Sequence, residues 1–270
     1  MQMIHLVQTD REPVRNSYWS DLASYRWMSD LSNLAWAWEF LRRDPGYRCA
    51  YKSSVADTPA ANAPAESPAL RFGLLRFGDP DQDSLLANVF WRMRACREVL
   101  PLATSPMRNG TAASTLNLEN LKCRTTVCQV GTEQRQDVLF AQDGRFLQLA
   151  VFGDVPLAEA LLLTPALPAP GYADSRLLAV RRLTDLVKHG WMRPSLYPRQ
   201  RRAERLMRVV QALDGWQAEV SHRDIGIALY GDARIERDWM HPGDNLRDQV
   251  RRAIRYGRDL MADGYKRFLN

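Results

Sequence analysis

The 270-residue sequence has no apolar run near the roughly 20 residues that span a bilayer. Its longest, Leu157–Leu167, is broken by Glu159, Thr164 and Pro165. The N-terminal MQMIHLVQTDREP lacks the basic-then-apolar profile of a signal peptide, so the expectation is a cytoplasmic protein with no membrane partner. Cysteine and histidine are scarce. Cys49, Cys96, Cys123 and Cys128, with His5, His189, His222 and His241, show no zinc-site spacing, which predicts reduced thiols and no metal. Enzyme signatures are missing too: no Gly-x-Ser-x-Gly, no P-loop lysine motif, no dinucleotide glycine fingerprint and no His-Glu-x-x-His. No catalytic residue and no cofactor is therefore expected. The three aspartates in Phe77–Asp83 read as a polar turn.

What is present is charge in one place. Residues 1–170 carry 17 Lys+Arg against 18 Asp+Glu, whereas residues 171–270 carry 20 against 13, so the whole positive excess lies in the last 100 residues. Of those 20 basic residues only Lys188 and Lys266 are lysine. The planar guanidinium fork of arginine suits phosphate and guanine edges, so the bias points to a polyanion.

Along the chain, residues 1–52 read as a small aromatic helical domain, with Ser32 or Asn33 capping a helix to about Arg43 that Asp44-Pro45 stops. Residues 53–69, SSVADTPAANAPAESPA, read as an Ala/Pro linker. Residues 70–153 read as short strands and hairpins. Arg71–Phe77 is an expected strand and Asp83–Leu100 an expected helix carrying Trp91. Asp137–Phe140 and Arg145–Phe152 flank Asp143-Gly144, a hairpin signal. Residues 154–270 read as helical, with helices near 156–163, 174–188, 201–214, 222–230 and 244–262. The fold class expected is α+β and predominantly helical.

Ser221-His-Arg-Asp224 has the form of a capping box opening HRDIGIALYG. DARIERDWMHPGD then reads as a long turn anchored by Trp239, before a second helix from about Asp244. On that helix Leu246, Val250, Ala253, Ile254, Gly257, Leu260 and Met261 share one side. Arg247, Arg251, Arg255 and Arg258 gather on an adjoining face, interrupted by Asp248 and Asp259. Helix, turn and basic helix is the order of a helix-turn-helix, with a turn far longer than usual.

The stretches SHRDIGIALYG, DW and DNLRDQVRRAIRYGRDLMADGYKRFL resemble a bacterial domain family understood as an extended-turn helix-turn-helix variant. WSDLASYRWMSDLSNLAWAWEFLRRDPGYRCAY resembles the N-terminal transcriptional-regulator domain that often precedes it. Together, over about residues 18–52 and 199–269, they look like the two-domain activators that switch on excision and transfer of integrative and conjugative elements. The resemblance implies binding to double-stranded promoter DNA through Arg223, Arg247, Arg251, Arg252, Arg255 and Arg258. It further implies docking of the N-terminal domain, or of a competing antiactivator, for which Trp36, Trp38, Phe40 and Trp239 are the candidates, ordinary core packing being the other reading and the favoured one for Trp38; RNA polymerase is a further candidate partner. Two alternatives stay open: an antiactivator-like regulator that sequesters another factor without touching DNA, and a nuclease or replication initiator.

Overall fold

The computed structural model describes residues 18–56, 67–105, 121–129, 135–153, 162–165, 173–239 and 245–270. The chain divides into two compact units: Met1–Ser29 with Glu204–Arg258, and Asp30–Ala203 with Asp259–Asn270. The architecture is mixed α+β with more helix than strand.

The Asp30–Ala203 unit is built on a sheet of five strands, β1 (Leu100–Ser105), β2 (Arg124–Gln129), β3 (Arg135–Gln142), β4 (Arg145–Phe152) and β5 (Leu162–Pro165), in the order β2-β3-β4-β1-β5. β1 runs parallel to β4; the other neighbours are antiparallel. The expected hairpin forms between β3 and β4, its turn residues Asp143 and Gly144 at φ 50° and 72°. Val138, Phe140, Leu147, Leu149 and Val151 alternate along the hairpin and pack with Ala179, Leu183 and Leu186 of helix α3 (Ala173–His189). The intervening residues Leu139, Phe146, Gln148 and Ala150 are buried as well. A sheet covered on both faces reads as a continuous apolar run, as FLQLAVF does.

Helix α1 (Asn33–Leu41) is buried around its whole circumference from Leu34 to Leu41, which for a helix means enclosure in the core. Its N-cap Ser32 makes no side-chain cap. The hydroxyl instead donates to Gly144 O at 2.8 Å, tying the helix start to the hairpin turn. Asp44-Pro45 ends α1 as expected but also opens α2 (Pro45–Ala56): the Asp44 carboxylate accepts from Tyr47 N at 2.7 Å, and proline suits a first helical turn. α2 therefore runs into the expected linker, whose residues 57–66 lie outside the described set.

Two other expectations fail for one reason. Pro68–Phe72 is a 3₁₀ helix, and only Leu74 forms a β-bridge, to Trp91. Residues 83–99 make turns in place of the expected helix, and Leu100 already belongs to β1, because this segment pairs at long range: Leu75 N donates to Phe90 O and Arg92 N to Gly73 O, both at 2.8 Å. Buried Gln148 completes this arrangement by accepting from Trp91 N and donating to Trp91 O. Of the helix expected at 156–163, residues 156–161 lie outside the described set, and Leu162 and Leu163 belong to β5.

Glu39 is the one carboxylate inside α1, with none of its side chain exposed. It pairs with Arg42 at 2.7 Å and Arg43 at 2.8 Å, and accepts from Ser84 N at 2.8 Å. Burial alone raises its pKa, but the two guanidinium groups more than offset this and hold it at about 2. The stabilisation this supplies is full above its ordinary pKa of 4.5 and is lost as pH falls from there towards about 2. In urea titrations, Glu39→Gln should cost about 3–5 kcal/mol at neutral pH, since it removes the buried carboxylate that two shielded cations share. It should also remove this segment of the acid dependence; an unchanged pH profile would show that the triad is not a unit.

Candidate nucleic-acid interface

The unit containing Glu204–Arg258 joins helix α4 (Ala203–Gln217) to α5 (His222–Tyr230), α6 (Asp232–Asp238) and α7 (Asn245–Ala262). Its core is Ala212, Ile225, Leu229, Ile235, Trp239, Leu246, Val250 and Ile254, flanked by the half-buried Trp19. Tyr25 donates to the Asp214 carboxylate at 2.8 Å, holding the N-terminal 3₁₀ segment on α4.

α5 begins as the capping box requires: Ser221 Oγ accepts from Asp224 N at 3.2 Å and donates to the Asp224 carboxylate at 2.6 Å. It ends at Gly231, whose φ of 88° redirects the chain, and α6 follows at once. The expected long turn is thus mostly a helix. Its apolar residues Ile235 and Trp239 are placed one turn apart and buried against α5, and this tertiary anchoring makes a seven-residue helix hold. Gly226 marks the crossing: a Cβ there would stand 3.0 Å from both Ile235 Cδ1 and Trp239 Cζ3. The result is a compact helix–glycine–helix pair followed by a long third helix. Residues 240–244, with His241 and Asp244, lie outside the described set.

On α7, burial of Leu246, Val250, Ile254 and Gly257 sets the helix's rotation. At about 100° per residue, Arg247, Arg251, Arg255 and Arg258 then occupy an arc of about 80° on the outer side. Arg251, Arg255 and Arg258 are exposed and Arg247 half-exposed. Arg247 lies 5.6 Å over the Trp239 ring and Arg258 4.6 Å over Trp216, contacts that orient a guanidinium without neutralising it. Arg251 makes one loose pair, at 3.6 Å with Asp248. The structure therefore brings these four arginines together. Arg223 sits exposed in the first turn of α5.

Arg252 lies outside the arc of the other four, about 60° beyond Arg255. It projects about 100° away from Arg251 and lines a groove with Arg205 and Arg208 of α4. No local signal placed them beside Arg252, since their proximity depends on how α4 crosses α7.

The aromatic candidates are relocated. Trp36, Trp38 and Phe40 are fully buried, and Trp239 nearly so. Trp36 and Phe40 stack at 6.1 Å, Phe40 stacks on Phe268 at 5.9 Å, and Trp38 Nε1 donates to Gln82 O at 3.0 Å. They are core side chains of their own units, so Trp36 offers no exposed docking face. The cysteines are likewise spread out, Cys96 being fully buried with burial raising its thiol to about 12. Among the described residues no group of three or more His, Cys, Asp or Glu could hold a metal ion. Nor is any described helix long and apolar enough to cross a membrane.

The two candidate recognition helices differ in charge. α6 carries Arg234 and Arg237 against Asp232, Glu236 and Asp238, a net of −1; α7 carries five arginines against Asp248 and Asp259, a net of +3. A phosphate backbone favours α7.

Residues 155–270 match the family described as "T6SS, Transcription factor, DNA binding domain". Residues 18–77 match the "Proteobacterial transcriptional regulator-like domain". A search of the curated proteins finds no match to the chain. The chain is thus a transcription factor of two domains, a proteobacterial transcriptional regulator-like domain followed by a RovC-like DNA-binding domain of the T6SS-associated kind.

Proposed function

We propose that this transcription factor binds promoter DNA through the outer face of α7 and acts as an activator. Arg247, Arg251, Arg255 and Arg258 meet phosphates and base edges, and Arg223 supplies a contact from the start of α5. The observation that carries this reading is the arc of four arginines on one side of α7, set by the buried Leu246–Val250–Ile254 seam, with Arg251, Arg255 and Arg258 exposed. Two of the four rest on tryptophan rings, which limits their freedom before DNA arrives and so lowers the ordering cost of binding.

The activator role rests on the resemblance to activators of integrative and conjugative elements, and that resemblance nominates excision and transfer genes as the targets. Chromatin immunoprecipitation separates this from a T6SS promoter, because enrichment at secretion genes alone would replace the mobile-element reading. An antiactivator that sequesters another factor predicts no DNA binding at any salt concentration.

Titrating the full chain with a promoter fragment over a salt series should give a steep linear fall of log affinity with log salt. Arg251→Ala with Arg255→Ala should weaken binding at least about tenfold and reduce the slope by about 2. Wild-type affinity in that double variant would rule out α7 as the DNA face.

Arg234→Ala with Arg237→Ala tests α6 directly, since both arginines lie on a helix of net −1. Affinity within about threefold of wild type is expected, as most surface changes away from a contact are nearly neutral. A loss larger than that of the α7 pair would make α6 the recognition helix.

A further inference from the structure

The groove between α4, α5 and α7 differs in kind from the outer face of α7. It has a volume of about 450 Å³, within the range of about 300–1,000 Å³ usual for small-ligand sites. Its α7 wall, including Arg252 and Tyr256, points about 150° around the helix from the Arg247–Arg258 arc. Arg205 and Arg208 of α4 face it, Tyr230 closes the α5 end, and Glu204 is the one carboxylate among the lining residues, so the lining carries a net +2.

Three guanidinium groups converging on one concavity repel each other unless an anion joins them. Among the described residues none of the three is paired with a carboxylate. Arg205 lies 5.5 Å over the Tyr256 ring, and Arg252 Nε donates to Asp248 O on its own helix at 3.2 Å. Both side chains are thereby directed while their remaining donors stay available. The Tyr230 phenol is raised by burial although Arg208, Arg234 and Arg252 all pull it down, which places two of the groove's guanidinium groups, Arg208 and Arg252, near one half-buried hydroxyl. Arginine forks, a tyrosine hydroxyl and two aromatic rings in a recess are the groups that take a phosphate and a flat ring together.

We infer that this groove binds a small phosphorylated ligand of nucleotide size, separately from promoter DNA. A duplex is too broad to enter so small a recess, whereas a free phosphate ester with a planar base matches its size and charge. The ligand's phosphates lie against Arg205, Arg208 and Arg252, and its ring lies by Tyr230 and Tyr256. The inference does not depend on which helix reads DNA, because the ligand is measured with no DNA present.

The test is calorimetric titration of the full chain with inorganic pyrophosphate and with ADP, at physiological salt. Both should bind, ADP more tightly, as stacking adds to the phosphate contacts. Arg208→Gln with Arg252→Gln should raise Kd at least about tenfold for both probes, as expected for losing two charge-assisted contacts, with circular dichroism checking the fold. Arg251→Ala with Arg255→Ala should leave both Kd values within about twofold. Three results would overturn the site. The first is no heat with either probe at about 1 mM, well above the micromolar range expected of a working effector site. The second is equal weakening in both double variants. The third is a groove variant that loses promoter affinity while its probe affinity is unchanged, which would make these arginines a DNA-backbone contact.

Discussion

The seam of Leu246, Val250 and Ile254 on α7, sunk into the core formed by α5, α6 and Ala212 of α4, fixes the rotational setting of the whole helix. Arginines spaced four, four and three share one side of α7 by helix geometry, and the burial of that seam keeps this side out of the core. Rotating α7 by a single residue step would expose Val250 and turn part of the basic arc into the core, at a cost of about 1.5–3 kcal/mol for each large aliphatic side chain exposed. The chemistry of the surface is therefore specified from inside.

The same core explains why a seven-residue α6 exists. Its five charged residues give it little reason to be helical in isolation, and so short a helix is marginal in water. Ile235 and Trp239 lock it to α5, where Gly226 leaves room for them. In the sheet-bearing unit the equivalent device is polar. Buried Gln148 ties the Trp91 backbone to the Asp137 carboxylate, and Glu39 ties Arg42, Arg43 and Ser84 N together. Networks of this kind hold irregular loops against a sheet in one geometry.

Elements whose evidence is local were legible from the residues. α3, α5 and α7 appear where periodicity and the Ser221 cap placed them, and the β3–β4 hairpin turns at Asp143-Gly144. Elements stabilised from a distance were not. Residues 71–77 and 83–100 satisfy their backbones on each other, so each half alone carries a misleading pattern. α6 was hidden because its two anchors read as turn residues. The docking role expected of Trp36 is likewise a matter of tertiary packing, which encloses it completely.

The sequence by itself determined the class of partner. Where the positive charge lies, that it is almost all arginine, and which arginines recur at helical spacing depend only on residue order. Tertiary structure decided how those charges are divided. Helix geometry already turns Arg252 about 100° from its sequence neighbour Arg251; packing of α4 and α7 set it beside Arg205 and Arg208, more than 40 residues away in the chain. Helical periodicity assigns each side chain an angle about its own axis, but only packing between helices decides which angles face one another.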